Sequence, residues 1–244
     1  RKRVIRNILE RRIRQRMMGD IHVQRRVVGH RPPHTELVHQ IVPLSAVTHG
    51  GDNATAKVRG GTGMDLRRFL EKLYFEMHDL QYRLGKPTIA ALTGPARAAG
   101  VTLAVSCDVI IASDTASLAY PEIDVGLIPA MHFVHLPRQI GRHKAFELLF
   151  SGRTITAADA ERRGLVNAVV PRARVMDEAR RLAQEFASKS PVVMKLARDS
   201  FVRQNDFEYR RAIENVVETI CNIIATGDAQ EGLNAFNEKR KPRW

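Results

Sequence analysis

The residues of this 244-residue chain best suited to chemistry lie between positions 94 and 136. Glu122 stands directly after Pro121, in Pro121-Glu122-Ile123-Asp124-Val125-Gly126-Leu127-Ile128-Pro129. A carboxyl group in a mostly apolar pocket has its pKa raised toward neutrality, where it can both accept and return a proton. A glutamate after proline is also an ordinary loop residue, so the local sequence leaves both readings open. Upstream, Ala98-Ala99-Gly100 comes after Gly94-Pro95 and opens a run of small, mostly apolar residues to Ser106. Such a run predicts a buried helix, whose first backbone N–H groups are unpaired and sit at the positive end of the helix dipole. Fixed donors of this kind stabilise a developing oxyanion, at roughly 3–4 kcal/mol per donor. A plain tight helix-packing site would have the same sequence. His49-Gly50-Gly51-Asp52 is a further turn with exposed N–H groups or an ordinary Gly-Gly bend.

Composition removes other chemistries. Cys107 and Cys221 are the two cysteines; they make no CxxC and no Cys/His ligand spacing. This argues for a reducing compartment and against a disulfide framework or a structural metal. No apolar run reaches the roughly 18 residues of a membrane span. The first residues are basic but lack an apolar stretch for a secretory signal, and lack the serines of a transit peptide. The expectation is a cytoplasmic protein, or one of the mitochondrial matrix if eukaryotic.

The formal charge is +13, and it is unevenly spread. Before residue 49 there are eleven Arg and Lys against Glu10, Asp20 and Glu36. A basic arm of this kind can meet a polyanion or be a solvated tail. It lacks the interleaved aromatics that stack on bases, so nucleic acid is not the expected partner.

The elements that must position these groups are legible from residue 62 onward. Leu66, Phe69, Leu70, Leu73, Met77, Leu80 and Leu84 recur at helical spacing and predict an amphipathic helix over Asp65–Leu84, stopped by Gly85-Lys86-Pro87. Thr88–Leu92 and Asp108–Ala112 read as buried strands. Arg142–Phe150 reads as a helix. Thr156 with Asp159 opens a short helix that Gly164 closes, and Leu165–Val170 reads as a strand. From Val175 the chain is nearly all helical, with Ser190-Pro191 as a start and Asp228 as the expected cap of the last helix. Strands alternating with helices, and then helices alone, give an α/β class with a helical C-terminal region. The division is residues 1–187 as core, atypical over 1–60, and 188–244 as helical appendage.

From Lys86 to Trp244 the chain resembles the crotonase (enoyl-CoA hydratase/isomerase) superfamily. The matching residues run from Lys86-Pro87-Thr88-Ile89-Ala90-Ala91 and Gly94 through Ala99-Gly100 to Cys107-Asp108. They continue in Pro121 to Pro129, Gly141-Arg142, Gly152-Arg153, Ala157, Ala160 and Gly164-Leu165-Val166, and end in Asp228 to Gly232, Ala235-Phe236 and Lys239 to Pro242. The resemblance implies a spiral of ββα units with a helical C-terminal oligomerisation region, assembled as a trimer or a dimer of trimers. It implies an acyl-CoA thioester as substrate, with CoA carried as part of that substrate and no separate cofactor. Ala99 N–H and Gly51 N–H would hold the thioester oxygen, and Glu122 would be the acid/base. Around them, Gly50, Asp52, Ala98, Gly100, Thr102, Pro121, Pro129 and Met131 would line the substrate site. Phe236 and Lys239 would reach CoA, often that of a neighbouring subunit.

The chain departs from the family at instructive places. Consecutive glycines are usual where this chain has Ala98-Ala99. The hydratases use a second glutamate on the helix behind the oxyanion hole, and its equivalent here is Thr102, which cannot act as a base near neutral pH. This leaves hydration and double-bond isomerisation both open. Asp124, which could partly substitute, reads as a solvent-facing position. After Pro129 the usual small residues are replaced by Ala130-Met131-His132-Phe133-Val134-His135, where His132 and His135 read as packed or rim residues rather than catalytic ones. Residues 1–48 match nothing in the family, and their Arg/Pro/His-rich, acid-poor composition resembles an out-of-frame reading of a GC-rich gene. The other function classes are a non-catalytic paralogue that binds acyl-CoA or sister subunits, and RNA binding through the basic arm.

Overall fold

The computed structural model describes residues 40–44, 62–71, 75, 80–81 and 83–244. The basic arm before residue 40, the His49–Asp52 turn and most of the expected helix beyond residue 71 lie outside the described residues. The first described stretch of that helix is α1, Gly63–Glu71.

Four parallel strands form the main sheet, in the order β1 (Gln40–Leu44), β2 (Thr88–Leu92), β4 (Val109–Ser113) and β7 (Ala168–Val170). Strands β2 and β4 alternate between two apolar layers, as a period of two requires. Ala90, Leu92, Ile110 and Ala112 face the larger core, with Val101, Leu118, Leu136, Leu148 and Ile155. Ile89, Ala91 and Ile111 face the other way, onto Val175, Ala179 and Ala183 of helix α6 (Val175–Ala187). Burial on both faces explains why these strands read as unbroken apolar runs.

A small second sheet leads into the segments that hold Ala99 and Glu122. Strand β3 (Ala96–Arg97) pairs in parallel with β5 (Ser117–Ala119), and β5 pairs antiparallel with β6 (Ile155–Thr156). Helix α2 (Ala99–Val105) begins one residue after β3. A 3-10 turn, Pro121–Val125, begins one residue beyond the end of β5. Then come α3 (His132–Ile140), α4 (Arg142–Ser151) and α5 (Ala157–Arg162). Thr156 Oγ1 accepts from Asp159 N at 3.1 Å and opens α5, and Gly164 takes φ 81° shortly after its end, both as expected. The strand expected over Leu165–Val170 is confined to its last three residues.

The C-terminal region is helical, as expected: α7 (Pro191–Arg203), α8 (Tyr209–Ile224) and α9 (Gly227–Asn237) come after α6. Ser190 Oγ accepts from Val193 N at 3.0 Å, the expected cap of α7. The cap of α9 is a correction. Thr226, not Asp228, is the cap: its Oγ1 accepts from Ala229 N at 3.2 Å. Asp228 sits inside the first turn, and its carboxylate accepts instead from Ser190 Oγ, tying the starts of α7 and α9 together. Arg198 of α7 is buried and donates from Nε to Asp108 Oδ2 at 2.9 Å, the same oxygen that accepts from Thr88 N at 2.7 Å. The C-terminal helices are thus locked to the start of β2.

Candidate active site

The parallel pairing of β3 with β5 sets the geometry. Arg97 lies opposite Ala119, so the two strands end at the same level. Each strand runs directly into a turn: β3 into Ala98-Ala99, and β5 into Tyr120-Pro121-Glu122. Ala98 N donates to Ala119 O at 3.3 Å and carries the strand pairing one residue further. Arg97 braces the pair from the side. Its Nη1 donates to Ala96 O at 2.8 Å and to Ser117 O at 2.9 Å, and its Nη2 to Ser117 Oγ at 3.0 Å.

The turn after β3 is strained. Ala98 has φ 48° and ψ −121°, a conformation that glycine adopts freely and a Cβ resists. No side chain caps α2. Ala99, its first residue, is exposed, whereas Gly100, Val101 and Thr102 behind it are buried. The result is a helix start whose leading residue faces outward while its body is sealed in the core. The expectation that alanine imposes a restricted backbone here is met at Ala98.

The turn after β5 presents a carboxyl group. Pro121 opens it, and Leu127 N and Gly126 N donate to Glu122 O and Ile123 O at 2.9 and 3.2 Å. Glu122 is half-buried, and its Oε2 is shielded from solvent with no hydrogen-bond partner among the described residues. Burial raises its pKa above the usual carboxylate range, only partly offset by a backbone hydrogen bond. Asp124 is exposed, as expected; its carboxylate lies over the Cα of Gly152, where a Cβ would come within 2.6 Å of Oδ1.

The loop after Glu122 differs from a simple bulky rim. Val125, Leu127 and Ile128 are half exposed or more, and Pro129 is buried. Met131 is half-buried at the start of α3. His132 is buried, with its Nε2 2.9 Å from Thr102 Oγ1, and its ring meets the Tyr120 ring edge-on at 4.4 Å between centroids. His135 is half-buried, and burial, then Arg138, lowers its pKa. Both histidines are packed, in line with expectation. Phe236 and Lys239 are exposed on α9 and just beyond it, on the helical appendage. Gly50, Gly51 and Asp52 lie outside the described residues.

Tyr120 was not singled out by sequence reasoning. It is 1% exposed, and its hydroxyl has no partner among the described residues. Its position immediately before Pro-Glu was the available signal. The Thr102–His132 bond spans thirty residues, and no local pattern announces it.

Known proteins share this architecture. The enoyl-CoA hydratase/isomerase family model matches residues 50–244. A putative enoyl-CoA hydratase of Thermus thermophilus is 35% identical over 163 residues, covering 67% of this chain and 64% of its own. Human enoyl-CoA hydratase domain-containing protein 3, mitochondrial, is 39% identical over 158 residues, covering 65% of this chain and 52% of its own. The chain therefore spans between about half and two-thirds of the length of these curated relatives. Among solved structures, the Bacillus anthracis enoyl-CoA hydratase aligns with TM-score 0.70 and 32% identity, over 76% of this chain and 72% of that one. The human domain-containing protein 3 aligns with TM-score 0.72 and 34% identity, over 78% and 75%. No helix among the described residues is long and apolar enough to cross a membrane. The expected crotonase fold is borne out, and the chain belongs to the enoyl-CoA hydratase/isomerase family of the crotonase superfamily.

Proposed function

We propose that this chain binds an acyl-CoA thioester and catalyses hydration of its 2,3 double bond, with double-bond isomerisation as the second reading. The observation that carries this is the half-buried, partly unpartnered carboxyl of Glu122 beside the uncapped, outward-facing start of α2 at Ala99. In this reading the thioester oxygen sits between Ala99 N–H and Gly51 N–H. These donors stabilise the enolate-like anion formed as water adds its oxygen to C3, and Glu122 takes the proton that water gives up and delivers it to C2. Ala98, Gly100, Thr102, Pro121, Pro129 and Met131 shape the acyl side, with Gly50 and Asp52 beside Gly51. Phe236 and Lys239 reach the CoA moiety, the lysine through a phosphate. CoA enters and leaves as part of substrate and product, with no separate cofactor. Two free thiols suit a reducing compartment, the cytoplasm or the mitochondrial matrix.

A homotrimer or dimer of trimers is part of the same reading. Its support is the apolar face of α8, where Ile213, Val216, Val217, Ile220 and Ile224 are about half exposed. Isomerisation remains the second reading because Thr102 replaces the second glutamate of hydratases.

The test follows crotonyl-CoA at the enoyl absorbance, beside a 3-enoyl-CoA and a Glu122→Gln control. Loss of the crotonyl-CoA absorbance, abolished in the control, supports hydration. Gain of 2-enoyl absorbance from the 3-enoyl substrate alone supports isomerisation. Neither reaction, in folded protein, overturns the enzymatic reading.

A further inference from the structure

Behind the Ala99 turn lies a buried polar cluster that hydration by Glu122 leaves without a task. His132 is 1% exposed and Thr102 5% exposed, and their Nε2 and Oγ1 atoms are 2.9 Å apart. Thr102 stands three residues after Ala99, on the same helix and one turn behind it. Its Oγ1 is also 3.4 Å from Ala98 O, the carbonyl of the strained residue. A threonine hydroxyl has one proton. It either donates that proton to Nε2, or accepts from Nε2–H and donates to Ala98 O. In both arrangements the imidazole is fixed to the helix that carries the oxyanion donor.

The other side of the imidazole belongs to the other turn. The Tyr120 ring meets it at an interplanar angle of 64°, and Tyr120 is two residues before Glu122. One buried side chain therefore touches both the helix that follows the Ala98 turn and the residue that leads into the Glu122 turn. Burying imidazole, hydroxyl and phenol together is costly unless each is bonded. Here the Tyr120 hydroxyl and Glu122 Oε2 show no partner among the described residues. Such departures from core rules concentrate at functional sites.

We propose that His132 is a positioning residue for proton transfer by Glu122. Thr102 pins it to the Ala99 helix and Tyr120 sets its ring plane against the Glu122 turn, so that donor and carboxyl are held in register. The inference rests on the acyl-CoA reading and adds a residue to it. Its effect falls on the chemical step rather than on binding, because misplacing a catalytic group by a fraction of an ångström slows reaction more than it weakens the complex.

The experiment uses Thr102→Val, which keeps the shape and removes only the hydroxyl, with Thr102→Ser as rescue and His132→Gln as the partner change. Steady-state kinetics are measured on the full chain with crotonyl-CoA and a 3-enoyl-CoA, using whichever is turned over. Thr102→Val is expected to lower kcat at least about tenfold with KM within about twofold. Thr102→Ser retains at least about a third of kcat. Adding His132→Gln to Thr102→Val lowers kcat by less than about threefold more, since both changes break one bond. If His132→Gln does not fold, the valine and serine variants decide alone. A Thr102→Val enzyme within about twofold of wild-type kcat overturns the inference, as does a serine variant no better than the valine one. Glu122-dependent turnover that ignores Thr102→Val removes the inference and leaves the function standing. Absence of any Glu122-dependent turnover removes both.

Discussion

The two turns that end β3 and β5 are neighbours at the same level of the sheet, yet they offer opposite kinds of chemistry. In the proposed reading the Ala98–Gly100 turn works through its backbone, by the Ala99 N–H, and the side chain is a burden at the φ of 48° that Ala98 adopts. The Pro121–Val125 turn would work through a side chain: its backbone is an ordinary 3-10 turn, and the proposed chemistry sits on the Glu122 carboxyl. The difference explains which family departures the fold absorbs. An alanine can stand where glycine is usual, because it supplies the same N–H at a conformational cost. On the proposed reading, position 122 needs an acid/base side chain to carry the same reaction.

Losing the brace between the turns should cost most. Arg97→Met removes three part-buried hydrogen bonds to Ala96 and Ser117. Unfolding free energy should fall by about 1.5–3 kcal/mol, measured by denaturant titration. Turnover should fall with it, because both turns hang from the paired strands. An unchanged midpoint would mean that the turns hold their register without Arg97.

The backbone turn can be probed by removing one methyl group. Ala98→Gly relieves the positive-φ strain at the expense of a more flexible unfolded chain, so stability should rise by about 1 kcal/mol. Ala98→Val should move in the other direction. A stability loss in the glycine variant would contradict the strained geometry.

The side-chain turn should respond more gently, and through pH. Burial raises the Glu122 pKa in the folded state, so the folded protein holds this proton more tightly than the unfolded chain does. The stability this proton supports is fully present below the ordinary glutamate pKa and is lost as pH rises through the raised one. Glu122→Gln carries no such dependence. Its thermal midpoint should match wild type in acid and exceed it modestly at neutral pH. A midpoint difference that does not change with pH would remove the shift.

Much of this was legible in the sequence, for physical reasons that can be named. Thr88–Leu92 and its neighbour announced themselves as strands because both faces are buried, which leaves unbroken apolar runs. The Ser190-Pro191 and Thr156-Asp159 starts were legible because capping is a local hydrogen bond between residues three apart. The same logic failed at α9, where Thr226 and Asp228 are both cap-forming types two residues apart and only the packing of Ser190 on Asp228 decides between them. Glu122 and Ala99 were found through resemblance, and their juxtaposition is set by the Arg97–Ala119 register. The Thr102–His132–Tyr120 cluster was not legible, because it depends on tertiary contact between α2, α3 and the end of β5. Thr102 looked like a loss, a glutamate replaced; its partner became visible only in three dimensions.

Everything proposed for the site turns on Glu122 moving the proton at the carbon beside the thioester. The direct measurement is hydration of crotonyl-CoA in D2O, with deuterium at C2 of the product read by mass spectrometry, for wild type and Glu122→Gln. Incorporation at C2 is expected for the wild type, with a rate lower by about 10²–10⁴ in the variant. Incorporation at equal rates in both proteins would contradict that role for Glu122.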